Sequence, residues 1–313
     1  MCYTSVPVDA FFTTARQVAV LFALMGTGAL CRRLRLIDDK SVMGLVNILV
    51  LVVTPCVIVE CFARPFAPSM FAGLGEAFAV AMTVHLVSIA VACFAVRHSL
   101  EDSRCVLRLS TVLSNSGFMG IPLEQAILGD KGVFYGVAFI VAYNLVFWSW
   151  GLKTMGGCAN RRMMFVNPGT VGVALGLLVF ISPWKPPAIV MEPVSMIAAL
   201  NTPVAMMVIG YHLADARLGK VLRTPAAHIA GALRLFAIPL ALTAALWPFR
   251  NALDRTMMLA SVIPAAAPTG AMVAMFAAKF RRDVDMAVGM VSGTTLLSML
   301  TLPIVVAIAE AVL

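Results

Sequence analysis

The chain has 313 residues, of which 61% are hydrophobic and 12% charged, and its formal net charge is +8. This excludes a soluble globular domain, in which about half the residues are apolar and about a quarter charged. The basic residues stand in short clusters between apolar runs with no interleaved aromatics, so they read as a membrane topology signal and not as a nucleic-acid surface.

The apolar runs are continuous, about 20 residues long, and lack the period-2 alternation of membrane strands. The fold class is therefore an all-α integral membrane protein. Polar breaks delimit about ten spans, in chain order near 14–31, 42–62, 71–96, 105–128, 132–152, 167–183, 189–213, 226–247, 255–278 and 284–312. The first span lacks a basic leader and ends GALCRRLR, which reads as a retained helix and not a cleaved signal.

Connections after odd-numbered spans hold Arg32, Arg33, Arg35, Lys40, Arg97, Arg104, Lys153, Arg161, Arg162, Arg217, Lys220, Arg223, Lys279, Arg281 and Arg282. Those after even-numbered spans hold only Arg64, Lys131, Lys185, Arg250 and Arg255. The positive-inside rule then makes the odd connections cytoplasmic and puts both termini outside, in a multi-pass protein of the inner (plasma) membrane. The cysteines, Cys2, Cys31, Cys56, Cys61, Cys93, Cys105 and Cys158, form no CxxC and no Cys/His pair at metal spacing. They read as small buried hydrophobes, and neither a metal nor a cofactor is expected.

Span two carries NILVLVVTPCVIVECFA and span seven IAALNTPVAMMVIGYHLA, each with a Thr-Pro step, at Pro55 and Pro203. Span four carries SNSGFMGIPL with Pro122, and span nine VIPAAAPTGAMVAMFAA with Pro264 and Pro268. The matching prolines lie about 148 and about 146 residues apart, so the chain divides into two five-helix halves, 1–155 and 156–313. An odd number of spans per half makes the copies inverted, as in secondary transporters.

Proline removes a backbone donor and clashes with the carbonyl one turn back, so spans four and nine are expected to break near 114–122 and 264–270. Inside a bilayer such breaks persist only where protein or a water-filled cavity meets the freed groups, which brings the two together at the midplane. Half-helix N-termini there would favour an anion. The candidate substrate-binding residues are Ser114, Asn115, Ser116, Pro122, Pro268, Thr269 and Gly270, with Asn144 in span five. His85, halfway along span three, and Glu124, two residues past Pro122, are the coupling candidates, with a neutral, hydrogen-bonded packing histidine as the default reading of His85. Glu60, Glu76 and Glu124 all fall near outer span ends, where snorkelling is expected, and Arg108 and Arg234 near cytoplasmic ends, where interface anchoring is the default and either could also meet an anion entering from inside.

NSGFMGIPL from Asn115, followed by GDKG and FYGVAFIVAYN, resembles the auxin efflux carrier family of bacterial permeases and plant PIN carriers. The likeness continues in order through NTPVAMMVIGYHLA, LRLFAIPL, PAAAPTGAMVAMFAAKF and LLSMLTLP. It implies ten helices in a crossover fold, with spans one, two, six and seven as a scaffold and the other six as a moving bundle. By matching position, Asn115 and Pro122 correspond to the first crossover and Pro268 to the second. The chain departs from the family at Arg281, Arg282, Tyr211 and His212, and residues 153–166 form only a short basic link where plant carriers have a long loop. The resemblance implies a permease for a small organic anion, a mono- or dicarboxylate such as malonate, working by alternating access. The alternative is a cation/proton antiporter or sodium-coupled symporter of the same fold. Partners are then the anion, H+ or Na+, membrane lipid, and a second copy through the scaffold helices. No enzyme is expected: SNSG resembles the GxSG of intramembrane serine proteases, but position 114 is Ser and His85 precedes it in the chain.

Overall fold

The computed structural model describes residues 6–97, 100–158, 162, 165–183, 186–214 and 218–313. Arg161, Lys185 and Arg217, which enter the charge asymmetry, lie outside the described residues. Long helices dominate: α1 (Val6–Arg33), α2 (Asp39–Phe62), α3 (Pro68–Ala95), α4 (Glu101–Val112), α5 (Ser116–Thr154) and α6 (Pro168–Ile181). They continue as α7 (Ala188–Leu213), α8 (Pro225–Phe249), α9 (Arg255–Ala266), α10 (Met272–Lys279) and α11 (Val284–Val312). Among the described residues, six of these (α2, α3, α5, α7, α8 and α11) are long and apolar enough to cross a membrane. Helix α5 turns sharply at Gly129, whose φ of 65° and ψ of −162° suit glycine alone, at the expected boundary between spans four and five.

Helix starts follow local chemistry. Asp38, Asp254 and Asp283 accept from the amides of Ser41, Met257 and Met286, and Asn167 forms a reciprocal box with Thr170 at the start of α6. Three π-helical turns, Leu49–Val53, Ser116–Gly120 and Leu233–Ala237, each end two residues before a proline: Pro55, Pro122 and Pro239. In each, the next amide reaches five residues back: Thr54 to Leu49, Ile121 to Ser116 and Ile238 to Leu233. The wider turn makes room for the proline ring and absorbs its missing donor, so the chain bends without ending the helix.

Packing relies on small residues. A Cβ added to Gly28 of α1 would lie 2.0 Å from Met207 O, and one added to Gly210 of α7 would lie 1.8 Å from Met25 O. The two backbones thus touch reciprocally, as membrane helices do where no water drives side chains together. Phe62 at the end of α2 and Phe180 at the end of α6 both pack on Phe134, just past the Gly129 turn of α5, with ring centroids 4.6 Å and 5.1 Å away. Exposure is inside-out: Phe94, Leu178 and Ile189 face outward while Asn115, Glu124, Asn201 and Arg234 are buried. This is the partition expected of a chain solvated by lipid.

Candidate functional site

Helix α4 ends at Val112, and the chain runs extended through Leu113 (φ −96°, ψ 103°) before Ser116 opens the π turn of α5. Helix α9 ends at Ala266, and Ala267 is extended (φ −60°, ψ 148°), as a residue preceding proline is disposed to be. The two extended segments pair antiparallel at Ser114 and Thr269. Asn115 N–H donates to Pro268 O at 2.7 Å, and Gly270 N–H donates to Leu113 O at 3.0 Å. Gly270 is needed for the approach, since a Cβ there would meet Ser114 O at 3.0 Å.

Two helix C-termini converge on this joint with unsatisfied carbonyls and partial negative charge. Arg234, carried by the π turn of α8, answers both. Its Nη1 donates to Thr111 O and Val112 O, each at 3.1 Å, and its Nη2 donates to Ala265 O. The side chain is only 2% exposed and has no acidic partner among the described residues. The expectation that Arg234 anchors a cytoplasmic interface is therefore corrected: it is a buried clamp across both breaks. Thr269 completes the clamp, donating its hydroxyl to Ser110 O at 3.0 Å and its amide to the Thr294 hydroxyl at 3.0 Å.

The other predicted residues divide. Asn115 is 7% exposed, and its carboxamide makes no hydrogen bond among the described residues, while its carbonyl accepts from Met119 and Gly120. Ser114 buries an unpartnered hydroxyl, and Ser116, Pro122 and Pro268 are buried beside it. Asn144 donates to Ile140 O at 3.0 Å within its own helix and lies against Gly169 at the start of α6. It is the preceding residue, Tyr143, whose hydroxyl reaches Gly270, 3.5 Å from where a Cβ would stand. His85 is buried with Nδ1 on Ala81 O at 2.7 Å, its ring 4.7 Å from Phe139, and Nε2 without a partner.

Glu124 corrects the snorkelling expectation. It is 1% exposed, presses on Gly136, where no Cβ would fit, and leaves Oε1 without a donor. Glu76 is exposed and Glu60 half-buried, as helix-end acids are. Arg108 caps the end of α3, donating to Val96 O at 3.1 Å and Cys93 O at 3.2 Å. The residues that depart from the family pattern form polar ties: Tyr211 donates to Asp39 at 2.8 Å beside Arg32, and Arg282 pairs with Asp102 at 2.7 Å.

Sequence reasoning missed Tyr143 and the buried position of Arg234. The available signal for Arg234 was a lone guanidinium inside the apolar run LRLFAIPL, since an intramembrane charge is by default a functional one.

Among the described residues the chain thus buries a paired helix break and a formal charge among its helices. The chain belongs to the membrane transport protein family, which takes in permeases of the auxin efflux carrier type; the family model matches residues 13–165 and 159–306. No curated protein matches the chain.

Proposed function

We propose that this transporter moves a small organic anion, a mono- or dicarboxylate, across the inner membrane by alternating access. The observation that carries the anion is Arg234: a buried cation under the joint, balanced by carbonyl oxygens and no carboxylate among the described residues. It binds Thr111 O and Val112 O, four and three residues before Asn115, whose carboxamide makes no hydrogen bond among the described residues. A neutral amide donor beside a fixed charge that does not itself grip the cargo suits a ligand that must bind and leave.

In this reading 1–155 and 156–313 are inverted repeats of five spans each, both termini lie outside, and Asn115, Ser114, Ser116 and the Pro268–Gly270 backbone form the crossover. The reciprocal contacts of α1 with α7, and the packing of α6 on α2, support α1, α2, α6 and α7 as a scaffold. Helices α3, α4, α5, α8, α9, α10 and α11 then form the moving bundle. His85 and Glu124, each with a polar atom left unpartnered among the described residues inside that bundle, are the coupling candidates there.

The test is uptake of labelled malonate and related carboxylates into proteoliposomes, with thermal unfolding in detergent to read binding directly. Asn115→Ala should abolish both uptake and carboxylate-induced stabilisation, while the variant still inserts and unfolds cooperatively. Stabilisation by carboxylate that is unchanged in Asn115→Ala would sink the assignment of the crossover as the binding site.

A further inference from the structure

A polar cavity of about 310 Å³ opens between α2, α5 and α7, apart from the joint itself. Its polar walls are Glu60 of α2, Gln125 and Asp130 of α5, and Ser195, Asn201 and Thr202 of α7. Two of these are carboxyl groups, and none of the lining residues is Lys, Arg or His. Gln125 Nε2 donates to Asp130 Oδ1 at 2.8 Å, which fixes that carboxylate toward the cavity wall. An anion crossing this space would meet only like charge, so the cavity does not suit the cargo that Arg234 favours.

Asn201 gives the cavity its ligand character. It stands where α7 resumes after the turn at Ala199 and Leu200, it is 3% exposed, and neither Oδ1 nor Nδ2 has a partner among the described residues. A buried carboxamide left unsatisfied is destabilising, so it persists where something else meets it. The oxygen set is hard: carboxylate, amide carbonyl and hydroxyl, with no imidazole or thiol among the lining residues. Neutral oxygens outnumber the carboxylates, and no group of three His, Cys, Asp or Glu side chains converges among the described residues. That disfavours a divalent or transition metal. At about 30 Å³ per water, the volume accommodates an ion with several of its waters.

We propose that this cavity binds an alkali cation, of sodium size, which neutralises Glu60 and Asp130 and accompanies the anion through the transport cycle. The inference deepens the carrier reading above by naming a second cargo and the residues that hold it. Asn201 supplies its carbonyl oxygen from the scaffold side and Asp130 its carboxylate from the bundle side. The bound cation thus bridges two bodies that alternating access must move past each other.

The test uses the purified full chain with no carboxylate present. Thermal unfolding is followed in NaCl against N-methyl-D-glucamine chloride at equal ionic strength. Sodium should raise the midpoint saturably, Asn201→Ala and Glu60→Gln should each weaken half-saturation about tenfold or more, and Asn201→Asp should tighten it. The aspartate variant keeps the proposal open to refutation if the alanine variant folds poorly. Equal midpoints in the two salts, stabilisation by Ca2+ alone, or an Asn201→Asp variant with unchanged sodium dependence would each overturn it. A carboxylate titration in N-methyl-D-glucamine chloride is read separately, so loss of the cation site leaves the anion reading standing, and the reverse.

Discussion

At the first break Asn115 keeps its carboxamide free of protein partners and Ser114 buries an unpartnered hydroxyl, whereas at the second Thr269 is fully engaged. The Thr269 hydroxyl holds Ser110 O and its amide takes the Thr294 hydroxyl. Both segments contribute one backbone donor to the joint, so the main chain treats them alike. Side chains separate them: the first break keeps buried polar side chains that make no hydrogen bond among the described residues, and the second ties the joint to Ser110 and Thr294. Two segments with similar sequence pattern therefore differ in how far their side chains are engaged, and in the proposed site the first would supply contact and the second support.

Removing what both breaks share should have the largest effect. Arg234→Ala leaves Thr111, Val112 and Ala265 carbonyls without their charged donor at two helix ends. With hydrogen bonds to charged groups contributing about 1.5–3 kcal/mol each, the variant is expected to lose about 3 kcal/mol or more and to insert poorly. Arg234→Lys keeps the charge but not the fork, and should recover part of the stability. Expression yield and the unfolding midpoint in detergent measure both. An Arg234→Ala protein as stable as the parent would show that the breaks hold each other without the clamp.

Thr269→Val then tests the asymmetry. The valine removes a buried donor to Ser110 O while conserving shape, which should lower stability by about 1–2 kcal/mol. Uptake per folded molecule should stay near the parent value, in contrast to Asn115→Ala, where uptake vanishes at nearly unchanged stability. If Thr269→Val instead abolished uptake without moving the unfolding midpoint, the two breaks would be equivalent contacts and the comparison would fail.

Much of this was legible in the sequence because proline and glycine act locally. Pro268 and Gly270 mark the second break directly, and GDKG marks the Gly129 turn, whereas Pro122 and Pro264 fall inside α5 and α9, a few residues from the breaks they were expected to make. Helicity and membrane character followed from composition alone. Hydropathy could not show what a lone polar side chain meets across space. Arg234 looked like an interface anchor because its carbonyl partners lie 31 to 123 positions away in the chain. Glu124 looked like a snorkelling acid because position along a helix does not reveal that Gly136 packs over it. Tyr143 and Asn144 are neighbours, and only the helix rotation decides that the tyrosine turns to Gly270. The π turns before Pro55, Pro122 and Pro239 were hidden for a related reason: a proline announces strain but not how the backbone relieves it.

The smallest effect concerns how the helices that feed the breaks are tied at their far ends. Asp283 caps α11 and binds Lys220 at 2.7 Å together with the Ser103 hydroxyl near the start of α4. Asp254 caps α9 and binds Lys131 at 2.7 Å, beyond the Gly129 turn of α5. Burial pushes both carboxyls upward, but the hydrogen bonds from Lys220 and Ser103, and from Lys131 and the Met257 amide, outweigh it and hold both below the usual carboxylate range. A folded value below the unfolded one means stability that is full above the ordinary aspartate range and is lost as pH falls through the depressed value. The unfolding midpoint should therefore be flat near neutrality and drop below about pH 4. Side-chain exposure is 8% for Asp283 and 36% for Asp254, so Asp283→Asn should remove more of that acid-sensitive step than Asp254→Asn. The Lys131 pair, open to solvent, is worth at most about 1 kcal/mol, and its contribution should fade in high salt. Equal acid sensitivity in the two variants would mean that the two ties bear the same load, in which case the asymmetry between the breaks stops at the joint and does not extend along α4 and α9.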